Sequence, residues 1–166
     1  VHLLNVGADE GRDVVLLRRG QPVAVVQCKR YQSPISLPEV FREIAKLLAF
    51  AHINRDLIPN ADGFGYVLAL SGNATGPATS LFHEPERVVR QQKDLIQDCV
   101  TQILAEYKAF QGLNAETVTK QVLEILPKLT LKLITRENLD LWLAHRPKVF
   151  SKFFATRMLV DVEVVT

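Results

Sequence analysis

The distribution of apolar residues over the first third of the chain predicts strands. Residues 1–6 form a short apolar run ending at Gly7, and residues 13–18 (DVVLLR) form a second, rich in β-branched side chains. Arg19-Gly20-Gln21-Pro22 reads as a turn, because Gly permits unusual backbone angles and Pro pre-sets one of them. Residues 23–31 (VAVVQCKRY) make a third run, so the two runs around the turn predict a β-hairpin. A helix follows. Ser36-Leu37-Pro38-Glu39 has the capping-box spacing with Pro in the first turn, and Val40, Ile44, Leu47, Leu48 and Ala51 recur at helical spacing. Residues 64–70 (FGYVLAL) predict a fourth strand buried on both faces, and residues 71–76 a loop at its end. The later pattern predicts helices over 85–110 and 115–126, a strand over 129–134 and a short helix over 137–144. A last helix is expected over 149–158, and a strand or exit linker over 159–165. This order implies an α/β domain, with helices flanking a central mixed sheet. It is read as a single domain over 1–166 with helical additions at about 85–126.

Strand periodicity then brings chemistry into view. Residues two apart on a strand share a face, so Gln27 and Lys29 project together. Val26 and Cys28 point the other way, to a face that the helix after Ser36 is expected to cover. In a hairpin the start of one strand lies beside the end of the next, which puts Asp13 near Gln27 and Lys29. A carboxylate with a nearby side-chain oxygen suits Mg²⁺ or Mn²⁺, hard ions that take oxygen ligands and keep several waters. Such an ion polarises a phosphate and lowers the pKa of water. A lysine beside it orients that water or offsets charge building on the phosphate. The amide oxygen of Gln27 is a weaker ligand than a carboxylate, so a second acid is expected to help, from Asp9 or Glu10.

The segments Gly7-Ala8-Asp9-Glu10-Gly11-Arg12-Asp13 and Val25-Val26-Gln27-Cys28-Lys29-Arg30-Tyr31 resemble the Mrr-like restriction endonucleases. These are a branch of the PD-(D/E)xK superfamily in which Gln often replaces the second acid. The resemblance implies a restriction-endonuclease-like fold and a metal-dependent DNA endonuclease hydrolysing backbone phosphodiesters. It makes Asp13 the metal-binding aspartate, puts Gln27 in the acidic position and makes Lys29 the catalytic lysine. The metal set is then Asp13, Gln27 and Asp9. A helix that precedes the motif in the family, often with a metal-binding Glu, is missing. Domains of this kind often belong to larger antiphage defence proteins, so a covalently linked NTPase or sensor domain is an implied partner. Double-stranded DNA is the implied substrate, and cutting both strands calls for a homodimer or higher homo-oligomer. The rival reading is a catalytically inactive module that binds DNA or regulates an attached NTPase.

Arg12, Arg30 and Arg42 are candidate phosphate contacts, which position a duplex without reading it, and Tyr31 is a candidate for stacking on a sugar or base. Ordinary solvated arginines and a tyrosine packed at the sheet edge would read the same way. Composition narrows the field. The chain has 166 residues, 48% hydrophobic and 23% charged, enough for one domain with a real core. A formal net charge of +2 excludes a global basic field, so DNA binding must rest on local patches. Its two cysteines, Cys28 and Cys99, are far apart and form no zinc or disulfide framework, which suits a reducing, cytoplasmic setting. No apolar run approaches the length of about 18 residues that suggests a membrane span. The chain opens without an initiator Met, directly into an apolar run, and is read as a fragment. Residues 72–76 lack the Lys-Ser or Lys-Thr of a P-loop. His83-Glu84 begins like a zinc-protease helix, but Arg87 stands where the second His is needed.

Overall fold

The computed structural model describes residues 2–3 and 12–148. Two compact units divide the chain, residues 1–135 and 136–166. The first holds a five-stranded mixed sheet whose spatial order is also its chain order. β1 (His2–Leu3), β2 (Val14–Arg18) and β3 (Gln21–Lys29) are antiparallel neighbours. β4 (Gly65–Leu70) and β5 (Thr130–Ile134) continue the sheet in parallel. The α/β class and the mixed sheet expected from the sequence are therefore present, as in a restriction-endonuclease-like fold. The expected helix over 149–158 and strand over 159–165 lie outside the described residues.

The hairpin between β2 and β3 turns at Arg19 and Gly20, whose φ angles are 52° and 81°. Positive φ at both central residues matches the right-handed twist of the flanking strands, and Gly adopts it without strain. β3 starts earlier than the sequence pattern suggests. Pro22 lies inside it, opposite Leu17, where the register shifts. A bulge is where a strand tolerates a residue without an N–H.

Parallel strands need a crossover, and α1 (Leu37–Ile53) supplies the one between β3 and β4. The Ser36 backbone N–H and hydroxyl both donate to the Glu39 carboxylate, at 2.7 and 2.6 Å, closing the helix start. The stripe Val40, Ile44, Leu47, Leu48 and Ala51 is buried as its spacing predicts. The longer crossover from β4 to β5 contains four helices: α2 (Gly76–His83), α3 (Pro85–Gln91), α4 (Lys93–Glu106) and α5 (Ala115–Ile125). One long helix over 85–110 was expected, and α2 was not. The run breaks at Gln92, whose φ of −116° and ψ of 30° are not helical. The break lets two apolar stripes reach the core separately: Val88 and Val89 from α3, and Ile96, Cys99, Val100 and Ile103 from α4. The segment before α2 is also more ordered than a loop. Ile35 and Ala74 form a parallel bridge, which extends the β3–β4 pairing beyond both strand ends.

α6 (Arg136–Ala144) belongs to the second unit. Within it Arg136 pairs with Asp140 at 3.6 Å. Among the described residues no helix is long and apolar enough to cross a membrane.

Candidate active site at the end of β3

The register of the sheet decides which side chains meet. Val25, Gln27 and Lys29 lie opposite Tyr66, Leu68 and Leu70 on β4. Paired residues of neighbouring strands share a face, and this face is the buried one: Val25, Tyr66, Leu68 and Leu70 are at most 2% exposed. The sequence reading assigned α1 to the other face, over Val26 and Cys28, and this is corrected here. The Lys29 ammonium lies 2.8 Å from Glu43 of α1, so α1 covers the side of Gln27 and Lys29. Cys28 is exposed. The reason is the apolar stripe of α1, which must bury against the more apolar face, and β4 makes that the Gln27 side.

Asp13 stands just before β2. Its backbone N–H donates to the Val26 carbonyl at 3.0 Å, and its carboxylate accepts the Cys28 N–H at 2.5 Å. Asp13 is thereby held against the stretch of β3 between Gln27 and Lys29. Gln27 is 3% exposed, and its Oε1 is buried without a hydrogen-bond partner. Tyr31 is half-buried beyond the strand end, and Arg30 is exposed. Arg12, beside Asp13, is half-buried. Asp9 and Glu10 lie outside the described residues. Arg42 points toward α4, where its guanidinium donates to Gln102 and Glu106 at 2.7 and 2.5 Å.

Charges on this face act on one another. Burial alone would pull the Lys29 ammonium down. The hydrogen bond and charge of Glu43, with smaller help from Tyr31 and Asp13, outweigh it and hold Lys29 above the ordinary lysine value. Burial, then the charge of Glu43, pushes the Tyr31 phenol up, against the pull of Lys29. Tyr66 is pushed well above the usual tyrosine range by complete burial, then by Glu43, Tyr31 and Asp13. Desolvation and then Asp13 raise the Cys28 thiol, which makes it a poor nucleophile. Asp13 and Glu43 therefore act on the same Lys29 and the same Tyr66.

Glu43 is the residue that the sequence reading missed. Its signal was present: position 43 falls three residues after Val40 and four before Leu47, inside the apolar stripe of α1. A carboxylate at a core-facing position implies a buried partner. Its Oε2 is buried without a hydrogen-bond partner, as is the Tyr66 hydroxyl. Native interiors leave few such atoms unsatisfied. Three such atoms share needs that an ordered water or a cation would meet. Among the described residues no three His, Cys, Asp or Glu gather into a metal site. The donors here are hard oxygens, of the kind that divalent cations such as Mg²⁺ or Mn²⁺ accept.

No curated protein and no solved structure matches the chain. Residues 1–65 match the Mrr_cat family, described as restriction endonuclease. The matched segment contains the hairpin, all of α1 and the first residue of β4, and so both strands that bring Asp13 to Gln27 and Lys29. Over these residues, fewer than half of the chain, the protein is similar to the Mrr-like restriction endonucleases.

Proposed function

We propose that the domain is a divalent-metal-dependent endonuclease that hydrolyses DNA backbone phosphodiesters in defence against foreign DNA. The observation that carries this reading is local. Gln27 and Lys29 share one face of β3, and the Asp13 carboxylate is bonded to the backbone N–H of the residue between them. Asp13 and the Gln27 amide oxygen are the proposed ligands on the described part of the chain, with Asp9 joining from outside it. When bound, Mg²⁺ or Mn²⁺ would polarise the scissile phosphate and make water a better nucleophile at neutral pH.

The protein's own groups do the rest. The Lys29 ammonium is held by Glu43 at 2.8 Å, so Lys29 serves as a fixed positive charge and hydrogen-bond donor. It orients the attacking water or offsets charge building on the phosphate oxygens; it does not take up a proton. Gln27 is held rigid by burial and orders the site without adding charge. Arg30, Arg12 and Tyr31, around the same strand end, are proposed to hold the backbone of double-stranded DNA. Arg42 is the weakest of these candidates, because α4 already occupies its guanidinium. One such site cuts one strand, so a homodimer or higher assembly is proposed for double-strand cleavage, with a linked NTPase or sensor domain as its control.

Plasmid nicking in Mg²⁺ or Mn²⁺ tests this reading. The native chain should nick, and Lys29→Ala should nick more slowly by on the order of 100-fold. Equal nicking by both would reject the site. DNA retention at low salt without nicking by either would favour an inactive DNA-binding module.

A further inference from the structure

We propose that Glu43 is a cation ligand, the carboxylate that position 27 lacks, delivered to the site from α1. The inference rests on the cation-binding reading above and adds a residue to it. Glu43 is well buried, its side chain 15% exposed. One of its oxygens bonds Lys29 at 2.8 Å, and the other, Oε2, is buried with no hydrogen-bond partner. An ion pair with Lys29 explains the first oxygen and leaves the second unexplained. Keeping a charged oxygen away from water without a partner is costly. The nearby Gln27 Oε1 is orphaned in the same way, although Gln27 is 97% buried by its 3% exposure.

Both orphans are acceptors, and neither can satisfy the other. Their common need is a donor or a cation. The charge balance selects between them. Asp13 and Glu43 are negative, Lys29 is positive and Gln27 is neutral, so the group carries one excess negative charge. Without Glu43 the group would be neutral and would offer a divalent ion no net attraction. With it, one or two carboxylates and a neutral oxygen make the partial, water-completed set that Mg²⁺ and Mn²⁺ accept. The Tyr66 hydroxyl, fully buried and also unpartnered, is a ready hydrogen-bond partner for water completing that set.

Calorimetric titration of Mn²⁺ into the full chain decides the matter, with unfolding followed in chelator. Glu43→Gln should lower Mn²⁺ affinity about 10-fold or more, as Asp13→Asn should. Glu106→Gln, at the carboxylate that pairs with Arg42, should leave it unchanged. Unchanged Mn²⁺ affinity in Glu43→Gln, with affinity lost in Asp13→Asn, would overturn the role of Glu43 alone and leave a buried water as the partner of Oε2. A native chain that binds no Mn²⁺ would overturn the cation reading together with it. If Glu43→Gln does not fold, Glu43→Asp decides, because it keeps the charge on a shorter stem. Weakened Mn²⁺ binding with native-like unfolding in chelator supports the proposal, and full binding overturns it.

Discussion

The two ends of the parallel pair β3–β4 are built on opposite plans. At the starting end Ala24 lies beside Gly65, so close that a Cβ on Gly65 would stand 2.7 Å from the Ala24 Cβ. Neither residue of this pair carries a polar side chain, and the strands approach closely there. At the finishing end, five residues further along β3, Lys29 pairs with Glu43, and Gln27 and Glu43 hold buried oxygens without partners. The first end is packed for stability. The second gives stability up, since unsatisfied buried groups cost more than apolar ones of the same shape. Ligands in sheets of this kind gather outside the carboxyl ends of parallel strands, where this domain keeps its unsatisfied chemistry. The contrast teaches that a site can be located by where a fold tolerates poor bookkeeping as well as by motif.

Substitutions at the two ends should separate. The largest effect is the loss of nicking in Lys29→Ala, measured on plasmid per folded molecule, because the same change strips the largely buried Glu43 of its partner and also destabilises the fold. Next, Gly65→Val should destabilise the fold by about 1–3 kcal/mol through overpacking against Ala24. Denaturant unfolding would measure the loss, and nicking per folded molecule should persist. If Gly65→Val unfolds like the native chain, the starting end is not the tight one.

Ser36→Ala, at the start of the helix that carries Glu43, should cost about 1 kcal/mol at neutral pH. Its partner Glu39 is held below the usual carboxylate range, first by the Ser36 hydroxyl and then by the Ser36 backbone N–H. A carboxylate with a depressed folded pKa adds stability above its unfolded pKa and loses it as pH falls through the folded one. The difference between native and Ser36→Ala should therefore narrow in acid and be full at neutral pH, in urea melts across that range. A gap that widened in acid would contradict the cap. The smallest effect has the opposite sign. Gln27→Met removes an orphaned acceptor at constant shape, so it should stabilise the fold by up to about 1 kcal/mol while nicking is lost. A destabilised Gln27→Met would mean that Gln27 has a partner after all.

Much of this architecture was legible before any coordinates. The hairpin followed from Gly20 between two apolar runs. The start of α1 followed from Ser36, Pro38 and Glu39, and its buried stripe from the spacing of Val40 through Ala51. These features are local: each depends on residues within a few positions, and turn chemistry and helical period act at that range. The missed features were of another kind. Gln92 breaks a run of residues that are individually good helix formers, because two apolar stripes aim at different parts of one core. α2 begins at Gly76, the last residue of a segment expected to be a loop, and the Ile35–Ala74 bridge that pins that segment joins positions far apart in the chain. Arg42 looked available for phosphate until α4 came to lie against it.

The sequence alone determined that Gln27 and Lys29 share a side, because a strand repeats every two residues whatever surrounds it. It also determined that Asp13 returns to them, because a tight hairpin leaves the chain little choice. Only the tertiary structure decided which side that was, and therefore that Glu43 meets Lys29. The packing of α1 on β4 sets that choice, and apolar surface on two distant segments has to be buried together before either can show which way the sheet faces.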